Sequence, residues 1–298
     1  MEKFSTHHPL LQRTFALFLV ALIALTSACS SIRLSYNNGD TLLYWWLDAY
    51  VDFEGEQADW VKRDIRELFQ WHRKTQLQDY AALLAGFQRQ LAGNPTQADL
   101  LAGYRQIRSR TETLAMHAVP DMVDLARSLT PEQIRQMEER FNKKNEEYRR
   151  KFVSGSVEKR QEARFDKSMD QFKLWFGRFN NEQEAALRRA SDARPLDNNV
   201  WLEERILRQR KILALARKVQ QEKPSKEQTT VMVTALLREF FGRMDAPDRK
   251  AFYDSYANAT ANYILAAIRI ATPAQKAHAQ KRMQGWIDDF NSLAQEAK

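Results

Sequence analysis

Apolar side chains recur along this chain at steps of three and four. From Glu56 to Leu91 they fall at Val61, Ile65, Leu68, Phe69, Tyr80, Leu83, Leu84, Phe87 and Leu91. That spacing marks one face of a helix rather than the strict alternation of a strand. GNPT at 93–96 breaks the run, and Thr96 is placed to cap a second helix bearing Leu100, Leu101, Tyr104, Ile107 and Leu114. Pro120 should end or kink that helix, because an interior proline lacks a donor and clashes with the preceding turn. Asp40 can cap an earlier segment, TLLYWWLDAYV. Further runs open at Thr130-Pro131 (closed by Ser154-Gly155-Ser156), at 157 (to about 179) and after Asn180. Others span Val200 to Val219, Val231 to Met244 and Asp245-Ala246-Pro247 through Ile270, and a last opens at Thr272-Pro273. No segment has a period of two. The pattern predicts an all-α chain of antiparallel helical hairpins forming an extended bundle or solenoid-like domain, since short connections join antiparallel neighbours.

Composition agrees. The 298 residues include only 9 Gly and 8 Pro, too few turn-formers for a sheet-rich fold. Strong helix formers dominate instead. No low-complexity linker demands a division, so 40–298 reads as one all-helical domain.

One segment is not amphipathic. Phe15 to Leu25 is apolar throughout, behind a polar head carrying Lys3 and Arg13. Eleven helical residues rise about 16 Å, short of the roughly 30 Å of a bilayer core. This is the pattern of a secretory signal peptide. It ends Leu25-Thr26-Ser27-Ala28-Cys29, with the only cysteine of the chain. The ending resembles the bacterial lipobox, although Thr26 stands where Leu is commonest. The resemblance implies cleavage before Cys29, acylation of its thiol, and a further acyl chain such as palmitate on its amine. Several chains make a stable anchor where one does not. The expected organisation is a signal peptide over 1–28, a lipidated Cys29 with a short tether over 29–39, and the helical domain over 40–298. Ser30 follows Cys29 where Asp would favour inner-membrane retention, so the resemblance implies the outer membrane, periplasmic face. A tether of eleven residues spans at most about 40 Å, which keeps the domain near that membrane. Loss of 1–28 removes two basic residues and one acidic, taking the net charge from +8 to +7. With Cys29 lipidated, no thiol remains for a disulfide or a metal.

A phrase recurs along the chain: Leu129-Thr130-Pro131-Glu132-Gln133, Phe179-Asn180-Asn181-Glu182-Gln183, Pro224-Ser225-Lys226-Glu227-Gln228 and Ala271-Thr272-Pro273-Ala274-Gln275. A weaker echo stands at 53–57. A cap residue followed three positions later by Gln is a capping box. The starts lie 50, 45 and 47 residues apart, as in a loose helix-pair repeat. The copy at 128–152 resembles the LTxxQ-motif periplasmic chaperones of the Spy and CpxP type, which would imply binding of unfolded clients. Tyr36-Asn37-Asn38, Asp40, Trp45-Trp46-Leu47-Asp48, Tyr50-Val51-Asp52 and Glu56-Gln57 resemble an uncharacterised family of Gram-negative lipoproteins, a domain of unknown function. That resemblance implies location and a helical fold, and no activity.

Sites of chemistry are scarce. His72, His117 and His278 fall on separate helices, so no metal site or cofactor is expected. No GxSxG, Gly-rich phosphate loop or Glu-Ser pair occurs, and no enzyme is expected. The basic run NKKNEEYRRKF reads as a self-compensated helix face with pairs Glu139–Lys143, Glu146–Arg150 and Glu147–Lys151, rather than a nucleic-acid surface. A positive periplasmic domain suits anionic lipid or an acidic envelope protein. Leu42, Trp45, Trp46 and Tyr50 lie near one helix face and are expected in the core, the alternative being an interfacial patch. The expected function is binding, as a scaffold, adaptor or envelope-homeostasis factor. The alternatives are a chaperone of unfolded or anionic clients and, third, a wall-acting enzyme. A groove lined by basic and aromatic side chains would favour binding, and convergent carboxylates would favour the enzyme.

Overall fold

The computed structural model describes residues 31–195 and 197–296. Among them run thirteen α-helices and no strand: α1 Ser31–Asn37, α2 Gly39–Val51, α3 Glu56–Thr75, α4 Leu77–Ala92, α5 Gln97–His117, α6 Val119–Ser128, α7 Pro131–Tyr148, α8 Val157–Phe176, α9 Asn181–Asp192, α10 Asn198–Glu222, α11 Lys226–Gly242, α12 Lys250–Ile270 and α13 Pro273–Glu296. A π turn, Arg149–Val153, extends α7, and a 3-10 turn, Arg243–Asp245, follows α11. The fold is all-α, as the periodicity predicts.

Boundaries follow local chemistry. Pro120 sits in the first turn of α6, where its missing donor costs nothing. Gly177 closes α8 at φ +76°, a conformation that L side chains resist. The run 56–91 divides at Gln76 into α3 and α4, although no Gly or Pro marks the break. Asp40 lies inside the first turn of α2, its carboxylate accepting the Thr41 N–H. The stretch read as tether holds α1, which begins two residues after Cys29.

The helices pack around two main cores. One gathers Val51, Phe53, Val61, Ile65, Leu129, Ile134 and Leu213, from α2, α3, α7, α10 and neighbouring loops. The other gathers Leu91, Met169, Phe172, Phe176, Leu187, Tyr263 and Ala267, from α4, α8, α9 and α12. The antiparallel pair α4 and α13 packs along its length, burying Leu77 and Leu293 at one end and Leu91 and Ala279 at the other.

Two expectations are corrected. Trp45 and Trp46 are 62% and 58% exposed and Leu42 is exposed too. The helix α2 is apolar nearly all round, and the stripe Leu43, Tyr44, Leu47, Tyr50 and Val51 turns inward instead. The ion pairs of the basic run also differ. Glu139 pairs with Arg135, Glu147 with Lys144 and Glu146 with Arg149. The π turn begins at Arg149 and takes Arg150 and Lys151 out of α-helical register with the preceding turn. The face remains self-compensated.

At the N-terminal end, α1 is held by an aromatic clamp. The Tyr36 hydroxyl and His72 Nδ1 are hydrogen-bonded at 2.8 Å. Burial pushes the Tyr36 phenol up to about 12 against the pull of Arg73, and burial lowers the His72 pKa. The folded state therefore disfavours the His72 proton. The clamp's contribution is complete above the ordinary histidine pKa near 6.5 and is lost as pH falls through the lower folded value. We expect the protection of amides in 31–37, corrected for their intrinsic exchange rates, to fall as pH drops below about 6.5. His72→Phe should flatten that dependence, and an equal loss of protection in the variant would exclude the clamp as its source.

Candidate functional site

The recurring phrase is structural, and more than a cap. Thr130, Asn180, Ser225 and Thr272 each accept the backbone N–H of the Gln three residues on, and each Gln accepts the cap residue's own N–H. Thr96 and Asp99 do the same. Three of the phrase's Gln side chains also bind across the fold. Gln133 Nε2 donates to Gln57 Oε1 at 2.6 Å and to the Asp52 carbonyl at 3.1 Å. Gln183 Nε2 donates to Gln275 Oε1 at 2.9 Å and to the Ile270 carbonyl at 2.8 Å, while Gln275 Nε2 reaches the Arg178 carbonyl at 2.7 Å. Each of these side chains caps its own helix start and satisfies a carbonyl where another helix ends. The weak echo at 53–57 is explained by Gln57, the partner of Gln133.

The histidines stay apart. His72 belongs to the α1 clamp, His117 stacks on Trp71 with ring centroids 3.5 Å apart, and His278 Nδ1 meets the Trp175 carbonyl at 2.9 Å. Among the described residues no three His, Cys, Asp or Glu side chains gather around a common point. Cys29 lies outside the described residues.

Between α4, α5, α8 and α12 opens a cavity of about 830 Å³. Phe87 and Leu91 on α4, Phe172 and Phe176 on α8, and Ile264 and Ile268 on α12 form its apolar part. Gly103 on α5 lets that helix approach Phe87, for a Cβ there would stand 2.7 Å from the ring. Tyr104 and Ile107 of α5 are exposed at its rim.

The opposite part carries the cationic side chains, among the rings of Tyr148, Phe152 and Trp201. Arg164 Nη2 donates to the Ser191 carbonyl at 2.7 Å and Nη1 to the Pro195 carbonyl at 2.7 Å, which closes the C-terminal end of α9. Arg194 Nη2 donates to Ser191 Oγ at 2.9 Å, and its guanidinium lies 4.0 Å from the Tyr263 ring centroid. Among the described residues neither arginine forms an ion pair; their hydrogen bonds go to neutral oxygens. Burial lowers the pKa of both, and for Arg194 the neighbouring Arg164 charge adds to this. Asp192 lies near enough to support both charges, but its Oδ2 is held by Arg188 at 2.8 Å. Lys167 also lines the cavity. The Thr260 hydroxyl on its wall is buried without a hydrogen-bond partner.

Sequence reading passes over this cavity, whose walls come together only in the fold. One local signal existed: Arg164, Ser168, Gln171, Phe172 and Trp175 recur at helical spacing, so a basic residue shares the stripe of aromatic core positions.

Fold and cavity together define an all-helical protein with an amphipathic pocket that opens to the surface. Residues 49–236 match the family of unknown function DUF6279, and the chain belongs to that family. The match ends before α12 and α13, which complete the cavity wall. No curated protein and no solved structure matches the chain.

Proposed function

We propose that this chain is an outer-membrane lipoprotein, held by acyl chains on Cys29 with its domain facing the periplasm, and that it works by binding rather than by catalysis. The observation that carries the binding reading is the cavity, of the size typical of small-molecule sites. Its lining is aromatic, aliphatic and basic, with Asp197 as the only carboxylate among the described residues. Glycan hydrolysis uses two carboxylates flanking one bond, and this lining offers no second one.

The lipobox-like ending at Cys29 supports the anchor. Exposed Leu34, Leu42, Trp45 and Trp46 follow it within seventeen residues, which suits an aromatic ledge at a membrane interface. Cys29→Ala should abolish incorporation of a fatty-acid analogue and release the protein from the membrane fraction; equal labelling of the variant would refute the anchor. Native mass spectrometry of the chain purified from membranes tests the binding reading. A bound small molecule is expected on the unaltered chain and absent from a folded Ile264→Trp variant. Identical spectra would refute the cavity as the site.

A further inference from the structure

The cationic side chains of the cavity are confined to one end, where Tyr148, Phe152 and Trp201 accompany them, and the other end is apolar. Its α8 wall passes from Arg164, Lys167 and Ser168 to Phe172 and Phe176. Its α12 wall passes from Tyr256 and Thr260 to Ile264 and Ile268. The two gradients run the same way. Arg194 reaches both Ser168 and the Tyr263 ring, and the Phe172 and Tyr263 rings lie 5.0 Å apart. From Arg164 to Phe176 the helix rises about 18 Å, the reach of one extended hydrocarbon chain.

The charged end has a deficit of anion. It holds Arg164, Lys167 and Arg194; among the described residues the lining carries one carboxylate, Asp197, which accepts the Val200 N–H as the cap of α10, and the nearby Asp192 carboxylate is bound by Arg188. A partly buried guanidinium bonded only to neutral oxygens gains most from an anionic oxygen. The apolar end gains from hydrocarbon and from nothing polar.

We infer that the cavity takes a single-chain anionic amphiphile, a fatty acid or a lysophospholipid. Its chain lies against Phe172, Phe176, Ile264 and Ile268, and its carboxylate or phosphate meets Arg194 and Arg164. This rests on the cavity being a ligand site, as proposed above. Arg194 carries the head-group contact that can be altered cleanly, because Arg164 also closes the end of α9.

The test uses the full chain in nanodiscs of phosphatidylcholine and a photoreactive palmitic acid analogue. Labelling should map to peptides containing 164–176 and 256–268. Excess palmitic acid or lysophosphatidic acid should abolish it, and their relative potency distinguishes a carboxylate from a phosphate head. Hexadecanol should compete about tenfold less well than palmitic acid, the worth of a hydrogen bond to a charged group. Arg194→Gln should remove that preference while leaving competition by hexadecanol unchanged. The acid-to-alcohol ratio on the unaltered chain decides the matter if the variant does not fold. Equal competition by acid and alcohol would overturn the anionic head group and leave the cavity as a ligand site. Labelling that no competitor reduces, or that maps elsewhere, would overturn both.

Discussion

Replacing Glu204 by alanine is expected to destabilise the domain by about 3 kcal/mol, the low end of the loss when one partner of a buried ion pair is removed. Glu204 is 1% exposed on α10. Arg243 binds it with two hydrogen bonds of 2.9 Å, and Arg249 Nε lies 2.8 Å away. Asp248 accepts from both outer nitrogens of Arg243 at 2.8 Å. The cluster ties α10 to the turn after α11 and to the start of α12. The low end is appropriate because both arginines keep some contact with water and Arg243 keeps Asp248. For a domain of this size such a loss lowers the melting temperature by roughly 6–12 °C. Calorimetry or urea unfolding would measure it; a change under about 1 kcal/mol would mean that the pair behaves like a surface bridge.

The same residue sets an acid limit. The Arg243 hydrogen bonds, opposed by burial, hold the Glu204 carboxyl below its ordinary value of 4.5. A depressed folded pKa means that the unfolded chain binds the proton more readily. The stabilisation is complete above about pH 4.5 and is lost as pH falls through the folded value. In Glu204→Ala this part of the acid transition should disappear.

How far the sequence could be read depended on how local the determining physics was. Helices and their starts were legible because period and caps are local: Thr130, Asn180, Ser225 and Thr272 all cap where the phrase predicts. The division at Gln76 was not, since the chain there has no breaker and the Gln76 N–H still finds the His72 carbonyl. The burial of α2 was ambiguous in principle. Leu42, Trp45 and Trp46 form one apolar stripe and Leu43, Tyr44, Leu47 and Tyr50 another, and only the positions of α3 and α7 choose between them. The pairs expected of Glu146 and Glu147 assumed an unbroken α-helix, and the π turn removed that premise, whereas Glu139, inside α7, takes Arg135 in place of Lys143. The cavity was least legible. Its apolar residues are indistinguishable from core by period, and Arg164 and Arg194 meet only because the loop after α9 returns to α8.

The Gln pairs allow the last prediction, which separates a local cap from a tertiary clamp. If Thr130 and Gln133 formed only a capping box, Thr130→Ala and Gln133→Ala would each cost about 1 kcal/mol. Thr130→Ala is expected to do so, since it removes one bond at one helix start. Gln133 is 4% exposed and serves four groups: the Thr130 N–H, the Asp52 carbonyl, and both ends of the Gln57 amide. Its removal strips partners from groups held away from water, at about 1–3 kcal/mol for each one left unsatisfied. Gln57 keeps Ser128 at 2.9 Å, and the Thr130 N–H can reach water at the helix start, so the total should stay near 2–3 kcal/mol. Gln133→Ala should therefore cost at least twice as much as Thr130→Ala, and a double-mutant cycle with Gln57→Ala should show a coupling of about 1 kcal/mol. Chemical unfolding of the four chains checks both. Equal single losses with no coupling would return the phrase to an ordinary cap. In this fold the Thr130 and Gln133 side chains hold helix ends together. Any loss of function in these variants should accordingly return when stability is restored elsewhere in the domain.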